Sequence, residues 1–405
     1  MTNARFSLMM FLQYFIGGSW FTSIAVYMAA NGMQNLIHWP YTVNPLAAMI
    51  APVFVGMIAD RYFATQKVMG TLHLMGGAVL FLIPTLTETP VWFIVALAGF
   101  NLLNMPTTAM TSAIAFRHIS NREKQFPLIR VFGTLGWIAA GLSVSIALGY
   151  VFGSDLPEAT SAPLYMAGIV SLIMGLYSFS LPHTPPSPGQ AKPSISEILG
   201  ISAVRELGSR PFYVLAASLF LISIPQSTYY NFTQIFLVNA GFQEIAATQT
   251  LGQTSEVIFM VLMPLFFARF GFKTMFLIGF AGWVFRFALF ALGAPTGLTS
   301  LILIGIFMHG ISFDFLQVTA QVYVDRKSND RIRNQAQAFL ILASYGPGML
   351  LGAQLAGFVY NAYLGGQEAL NLEQWASFWW LPCIVSAIVM LGFAMAFRPK
   401  ETAVP

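Results

Sequence analysis

The chain has 405 residues, of which 57% are hydrophobic and 8% charged, with a mean hydropathy of +0.70. A soluble domain carries roughly 25% charged residues, so this composition excludes one. The formal net charge is +4, but the basic residues are dispersed along the chain rather than gathered in a patch, which excludes nucleic acid as a partner. The single cysteine, Cys383, excludes a disulfide framework and a cysteine-rich metal site.

Apolar stretches of about 20 residues, the length a helix needs to cross hydrocarbon, recur along the chain. Twelve are expected, centred near Gly18, Ile50, Ala78, Leu102, Ala140, Ser171, Ile222, Met260, Ala281, Gly310, Leu351 and Ile388. The first begins near Phe6 without a small-residue cleavage site and reads as a retained helix. Of the 19 Lys and Arg residues, 17 fall in seven short tracts, at Arg5, 60–67, 117–124, 192–210, 269–273, 325–333 and 398–400. The intervening turns carry only acids, among them Glu88, Asp155, Glu158, Glu244, Glu368 and Glu373. Positive charge is retained on the cytoplasmic side of a bilayer, so both termini are expected inside. The fold class is thus an all-α polytopic membrane protein. The longest polar segment, with Pro185-Pro186-Ser187-Pro188-Gly189, lies at the midpoint. It divides the chain into a six-helix half at 1–182, a cytoplasmic linker at 183–210 and a second half at 211–405.

Polar groups inside apolar spans carry the functional signal, because an ionisable group in hydrocarbon is costly. Span one holds Gln13 and then Gly17-Gly18-Ser19-Trp20, whose glycines suit close helix packing. His73 on span three stands alone and reads as a packed, hydrogen-bonded residue. Span four holds Asn101, Asn104 and Met105-Pro106-Thr107, and span five holds Arg130. On span seven, Gln226, Tyr229, Tyr230 and Asn231 follow Pro225, where a proline can open the helix and expose carbonyls to a cavity. Gln253 and Glu256 on span eight are three apart and share a face, pairing an amide with a carboxylate.

Span nine contributes Arg286, with Phe287 and Phe290 as packing aromatics, and span ten contributes Asp314. On span ten His309, Phe313, Gln317 and Gln321 recur every four residues and form one stripe, with Asp314 beside it. Arg130, Glu256, Arg286 and Asp314 are two positive and two negative charges that can neutralise one another inside the bundle, either as static salt bridges or as the machinery of proton coupling. The sequence contains no phosphate loop, metal-ligand cluster or nucleophile–base pair, so no cofactor and no enzyme activity are expected.

Two loops and six intramembrane segments carry a family resemblance. Gly56-Met57-Ile58-Ala59-Asp60-Arg61 with Lys67, and its degenerate repeat at Pro264, Ala268, Arg269, Gly271 and Lys273, resemble the Gly-x-x-x-Asp-Arg-x-Gly-x-Arg/Lys loop of the major facilitator superfamily. Phe63 replaces a glycine in the first copy, and Pro264 and Ala268 replace Gly and Asp in the second. Within the spans, Phe11-Leu12-Gln13 with Gly18-Ser19-Trp20, Met105-Pro106-Thr107, Pro127-Leu128-Ile129-Arg130 with Gly133-Thr134, Gln253 with Ser255-Glu256, Arg286 to Phe290, and Phe313-Asp314-Phe315 resemble the bacterial nucleoside:proton symporter family from end to end.

The resemblance implies a major facilitator fold and proton-coupled nucleoside uptake across the inner membrane by a monomer embedded in the lipid bilayer. It implies that Arg130, Thr134, Gln226, Gln253, Glu256 and Phe313 face the nucleoside, and that Asp314 is coupled to protons. Glu256 and Gln253 suit ribose hydroxyls, and Phe313 suits stacking on the base. Gly56, Asp60, Arg61 and Arg269 would form a cytoplasmic gate. Arg286, on the preceding span, is expected to favour the ionised form of Asp314 on proton release, with Glu256 as the other coupling carboxylate.

Three positions depart from the family pattern. Tyr229 or Tyr230 stands where an amide is expected, which Asn231 could restore; His309 stands for a tyrosine, and Trp137 for a phenylalanine. His309 and Gln317 are therefore counted with Tyr229 and Asn231 as candidate substrate contacts. Two other functions fit the same residues. The charge set also resembles that of galactoside:proton symporters, which makes a sugar or glycoside the alternative substrate, and a receptor that keeps the fold without transport is a third reading.

Overall fold

The computed structural model describes residues 2–185, 200–329 and 332–398, and within them the side chains of residues 2, 52–62, 123, 201–203, 268 and 334 are left aside. Among the described residues the regular elements are all helices. In hydrocarbon a helix satisfies its own backbone polar groups, so long apolar runs take this form. Eleven helices among the described residues are long and apolar enough to cross a membrane: Asn3–Ala30, Thr65–Leu86, Pro90–His118, Lys124–Phe152, Ala162–Ser180, Arg210–Asn239, Ile245–Phe267, Arg269–Thr296, Thr299–Lys327, Gln335–Leu364 and Leu372–Ala396. The helix Trp39–Tyr62 lies where span two is expected.

The chain falls into two compact units. One comprises Met1–Lys192 with Phe232–Thr250, the other Pro193–Asn231 with Leu251–Pro405. The end of span seven and the start of span eight, assigned by sequence to the second half, thus pack with the first six spans.

In the first unit glycines set the distances between helices. A methyl group on Gly18 would lie 2.9 Å from Ala140 Cβ and 3.0 Å from Trp137 O, and one on Gly136 would meet the Phe11 carbonyl. Spans one and five therefore touch backbone to backbone, as the glycine pair in span one led us to expect. Spans three and six cross in the same way at Gly70 with Gly175 and at Gly77 with Gly168. A buried polar chain ties four spans together: Gln13 Nε2 donates to Thr107 Oγ1 at 2.9 Å, and Gln13 Oε1 lies 2.9 Å from His73 Nε2. His73 Nδ1 meets Ser171 Oγ at 3.3 Å, so His73 is the packed residue its isolation suggested.

Span one is interrupted between Thr2–Phe21 and Ile24–Ala30. Thr22 Oγ1 donates to Gly18 O at 2.6 Å and Ser23 Oγ to Ser19 O at 2.9 Å, so side chains compete for the carbonyls that the helix would use.

In the second unit spans eight and nine reverse direction at Gly271, whose φ of +67° and ψ of 175° only glycine adopts without strain. Span ten breaks at Met308 between Thr299–Phe307 and His309–Lys327, and Arg333–Tyr345 gives way to Pro347–Leu364 at Gly346. The last helix begins with a capping box, in which Asn371 and Gln374 satisfy each other's backbone amides. Contrary to expectation, Pro225 does not open span seven, and the helix runs unbroken from Arg210 to Asn239. In a long transmembrane helix, packing against neighbours outweighs the one backbone bond that proline removes.

Candidate functional site

The candidate residues divide between the two units. In the first unit Arg130 and Thr134 lie one turn apart on the helix Arg122–Leu142, both half-buried. The Arg130 guanidinium carbon sits 4.2 Å from the centroid of the Tyr14 ring on span one. A methyl group on Gly133 would lie 2.7 Å from Arg130 Nη1, so this glycine leaves room for the guanidinium beside the helix. Trp137, one turn beyond Gly133, packs its ring on Gly17 and lies 6.0 Å from the Phe21 ring.

In the second unit, small residues bring spans eight, nine and ten together. Gly310 N–H donates to Ser255 Oγ at 2.8 Å, and a methyl group on Gly252 would lie 3.1 Å from His309 Cβ. A methyl group on Gly282 of span nine would lie 2.8 Å from Ser312 Oγ. This packing places Gln253 and Glu256, both half-buried, beside the start of the helix that carries His309, Phe313, Asp314 and Gln317. Asp314 is fully buried, and neither of its carboxyl oxygens has a hydrogen-bond partner among the described residues. It lies within electrostatic reach of Glu256. Gln253 Oε1 and Asn231 Oδ1 are likewise buried and unmatched. In hydrocarbon such atoms call for water or a polar ligand.

Span seven adds Gln226, which hydrogen-bonds Tyr230, and Asn231, whose Nδ2 donates to Ser227 Oγ at 3.4 Å. Tyr229 enters a stack of rings. Its ring centroid lies 5.7 Å from that of His309 with the planes at 21°, and the His309 centroid lies 5.5 Å from that of Phe313 at 20°. Tyr229 of span seven thus stacks on His309, which stacks in turn on Phe313 one turn along span ten. Gln317 is buried one turn beyond Phe313.

Arg286 has different partners from those expected. Fully buried, it donates from Nε to Gly305 O at 3.1 Å, and its guanidinium carbon lies 4.1 Å from the Tyr229 ring and 4.3 Å from the Trp283 ring. Nη1 and Nη2 have no hydrogen-bond partner among the described residues, so Arg286 and Asp314 form no direct ion pair. Two aromatic rings whose planes meet at 74° offer a cation attraction without the geometric demands of a salt bridge. Trp283, at the i−3 position, is the functional neighbour that sequence reasoning missed, and its helical spacing from Arg286 was the available signal. For Tyr14 beside Arg130, no local pattern existed. Of the expected cytoplasmic gate, Gly56, Asp60 and Arg61 lie outside the described side chains, and Arg269 is exposed beside Phe270.

The profile of the family described as Nucleoside H+ symporter matches residues 1–402. The chain is 35% identical to the candidate nucleoside transporter YegT of Escherichia coli, over the whole chain and 95% of that protein. It is 27% identical to the nucleoside permease NupG of Escherichia coli, over 99% of the chain and 97% of the permease. The crystal structure of NupG superposes with a TM-score of 0.84 at 26% identity, covering 98% of this chain and all of that one. The match runs nearly from end to end of the chain. The chain therefore belongs to the nucleoside–proton symporter family.

Proposed function

We propose that the protein takes up nucleosides together with protons across a cytoplasmic membrane, by alternating access, as a monomer with both termini inside. What supports this reading above all is Asp314: a fully buried carboxyl in a membrane-spanning helix, without a hydrogen-bond partner among the described residues and within electrostatic reach of Glu256. Two carboxyl groups in such a setting cannot both carry charge cheaply, so a proton shared with bulk water is the natural occupant of one. Asp314 carries the coupled proton. Glu256 and Gln253 hold the ribose hydroxyls, Phe313 stacks on the base, and Gln226, Tyr229, Asn231, His309 and Gln317 shape the pocket around it. Arg130 and Thr134 supply the contacts of the first half, and Gly56, Asp60, Arg61 and Arg269 form the cytoplasmic gate.

The test is uptake into proteoliposomes under an inward proton gradient, with labelled uridine and adenosine and a galactoside for comparison. Gradient-dependent nucleoside uptake without galactoside uptake is expected. Uptake of the galactoside alone overturns the substrate, and uptake of neither overturns the transport reading.

A further inference from the structure

An arginine wholly buried in a membrane-spanning helix ordinarily has a carboxylate for company. Arg286 does not. Among the described residues its one hydrogen bond goes to a backbone carbonyl, Gly305 O, and its guanidinium lies against the rings of Tyr229 and Trp283. Asp314 accepts nothing from it. The charge of Arg286 is thus spent on aromatic geometry, and the ring it grips is the first member of a column.

From Tyr229 the column passes to His309 and on to Phe313, with successive planes tilted by only 21° and 20°. The Tyr229 ring also lies 6.2 Å from Phe290, at 19°. These rings come from spans seven, nine and ten, and His309 stands just after the break at Met308. His309 Nδ1 has no hydrogen-bond partner among the described residues, so the flanking rings orient the imidazole. A planar guanidinium over a ring face is a directional contact, and it strengthens where water is excluded. The tilt set at Tyr229 is therefore passed to His309 and from there to Phe313.

We propose that Arg286 is a positioning residue for nucleoside recognition: by holding the Tyr229 ring it fixes the plane of His309 and Phe313, and with it the platform on which the base stacks. The inference rests on the reading of Phe313 as the stacking platform, and it assigns Arg286 to substrate affinity rather than to proton coupling.

The experiment measures uridine uptake by Arg286→Gln, Arg286→Lys, Tyr229→Leu, Tyr229→Phe and the Arg286→Gln/Tyr229→Leu double variant in proteoliposomes, with proton flux recorded beside it. Arg286→Gln is expected to raise KM about tenfold with maximal rate and proton-to-uridine ratio within about twofold of the unaltered protein, as loss of the cation–π hold on Tyr229 implies. Arg286→Lys keeps a cation over the ring and recovers most of that loss. Tyr229→Leu raises KM more than Tyr229→Phe, and the double variant is no worse than the poorer single one. Loss of gradient-driven accumulation in Arg286→Gln, with exchange and KM intact, overturns the proposal in favour of coupling. Should Arg286→Gln not fold, equal KM values for Tyr229→Leu and Tyr229→Phe overturn it instead. Failure of the unaltered protein to carry uridine at all marks failure of the transport reading.

Discussion

Gln234 fills the gap that the interruption of span one opens in its backbone. Its Nε2 donates to Phe21 O at 2.8 Å and its Oε1 accepts the Ala25 amide at 3.3 Å, while the same Nε2 reaches the Tyr41 hydroxyl at 2.7 Å. One side chain from span seven thus pairs with both a carbonyl and an amide at the interruption, and the Tyr41 hydroxyl donates to the same Phe21 O at 3.2 Å. Replacing Gln234 by Leu takes the acceptor from the buried Ala25 amide and leaves Phe21 O with the Tyr41 hydroxyl, at a cost of about 1–3 kcal/mol. Thermal unfolding of the purified variant in detergent is expected to show that loss.

The start of span eight is capped from elsewhere in the same unit. Glu158 Oε1 accepts Ala246 N–H at 2.9 Å and the Ser145 hydroxyl, whose oxygen accepts Ala247 N–H at 2.9 Å. A carboxylate at a helix N-terminus also meets the positive end of the helix dipole. Glu158→Ala removes both effects, and hydrogen exchange at residues 246 and 247 is expected to quicken by about tenfold, the equivalent of ~1.4 kcal/mol, while Glu88→Ala, in another acid-bearing turn, leaves them as they are.

Glycines separate by what surrounds them. Gly136→Ala drives a methyl group into the Phe11 backbone, a clash that a side-chain rotation cannot relieve. The expected cost is about 3 kcal/mol, read as loss of folded protein after extraction. Gly99, with nothing within 4 Å of a methyl group, is the control. There alanine stabilises the helix by about 0.5–1 kcal/mol.

Asp314→Asn keeps the shape of the side chain and removes its proton chemistry. Uptake in proteoliposomes is expected to lose its response to an inward proton gradient, while exchange of labelled for unlabelled uridine continues. Glu256→Gln, by contrast, is expected to raise KM at least tenfold, because a charged hydrogen-bond acceptor for the ribose is worth about 1.5–3 kcal/mol.

His38 stands just before the helix Trp39–Tyr62, and burial pushes its imidazole down to about 4 from the ordinary value of 6.5. Between those pH values the unfolded chain carries a proton that the folded one refuses, so stability is full above about 6.5 and falls as the pH drops toward 4. Thermal midpoints measured from pH 7 to pH 4 are expected to fall less steeply for His38→Gln. Equal slopes would remove His38 as the cause.

The polytopic all-α class and the candidate polar residues were legible along the chain, because each depends on local quantities: the length of an apolar run, the side on which charge falls, the spacing of Gln253 and Glu256 on one helix face. Pro225 marks the limit of that local reading, since span seven stays helical through it. The sequence could count the buried charges but could not pair them. Arg286 faces Tyr229, 57 residues away in the chain, and Tyr229 stacks on His309, 80 residues from it. Which partner a buried group meets depends on how closely and at what rotation helices approach. Between spans eight, nine and ten that approach is set by contacts at Gly252, Gly282 and Gly310, and only the tertiary structure shows Arg286 against the Tyr229 ring rather than paired with Asp314.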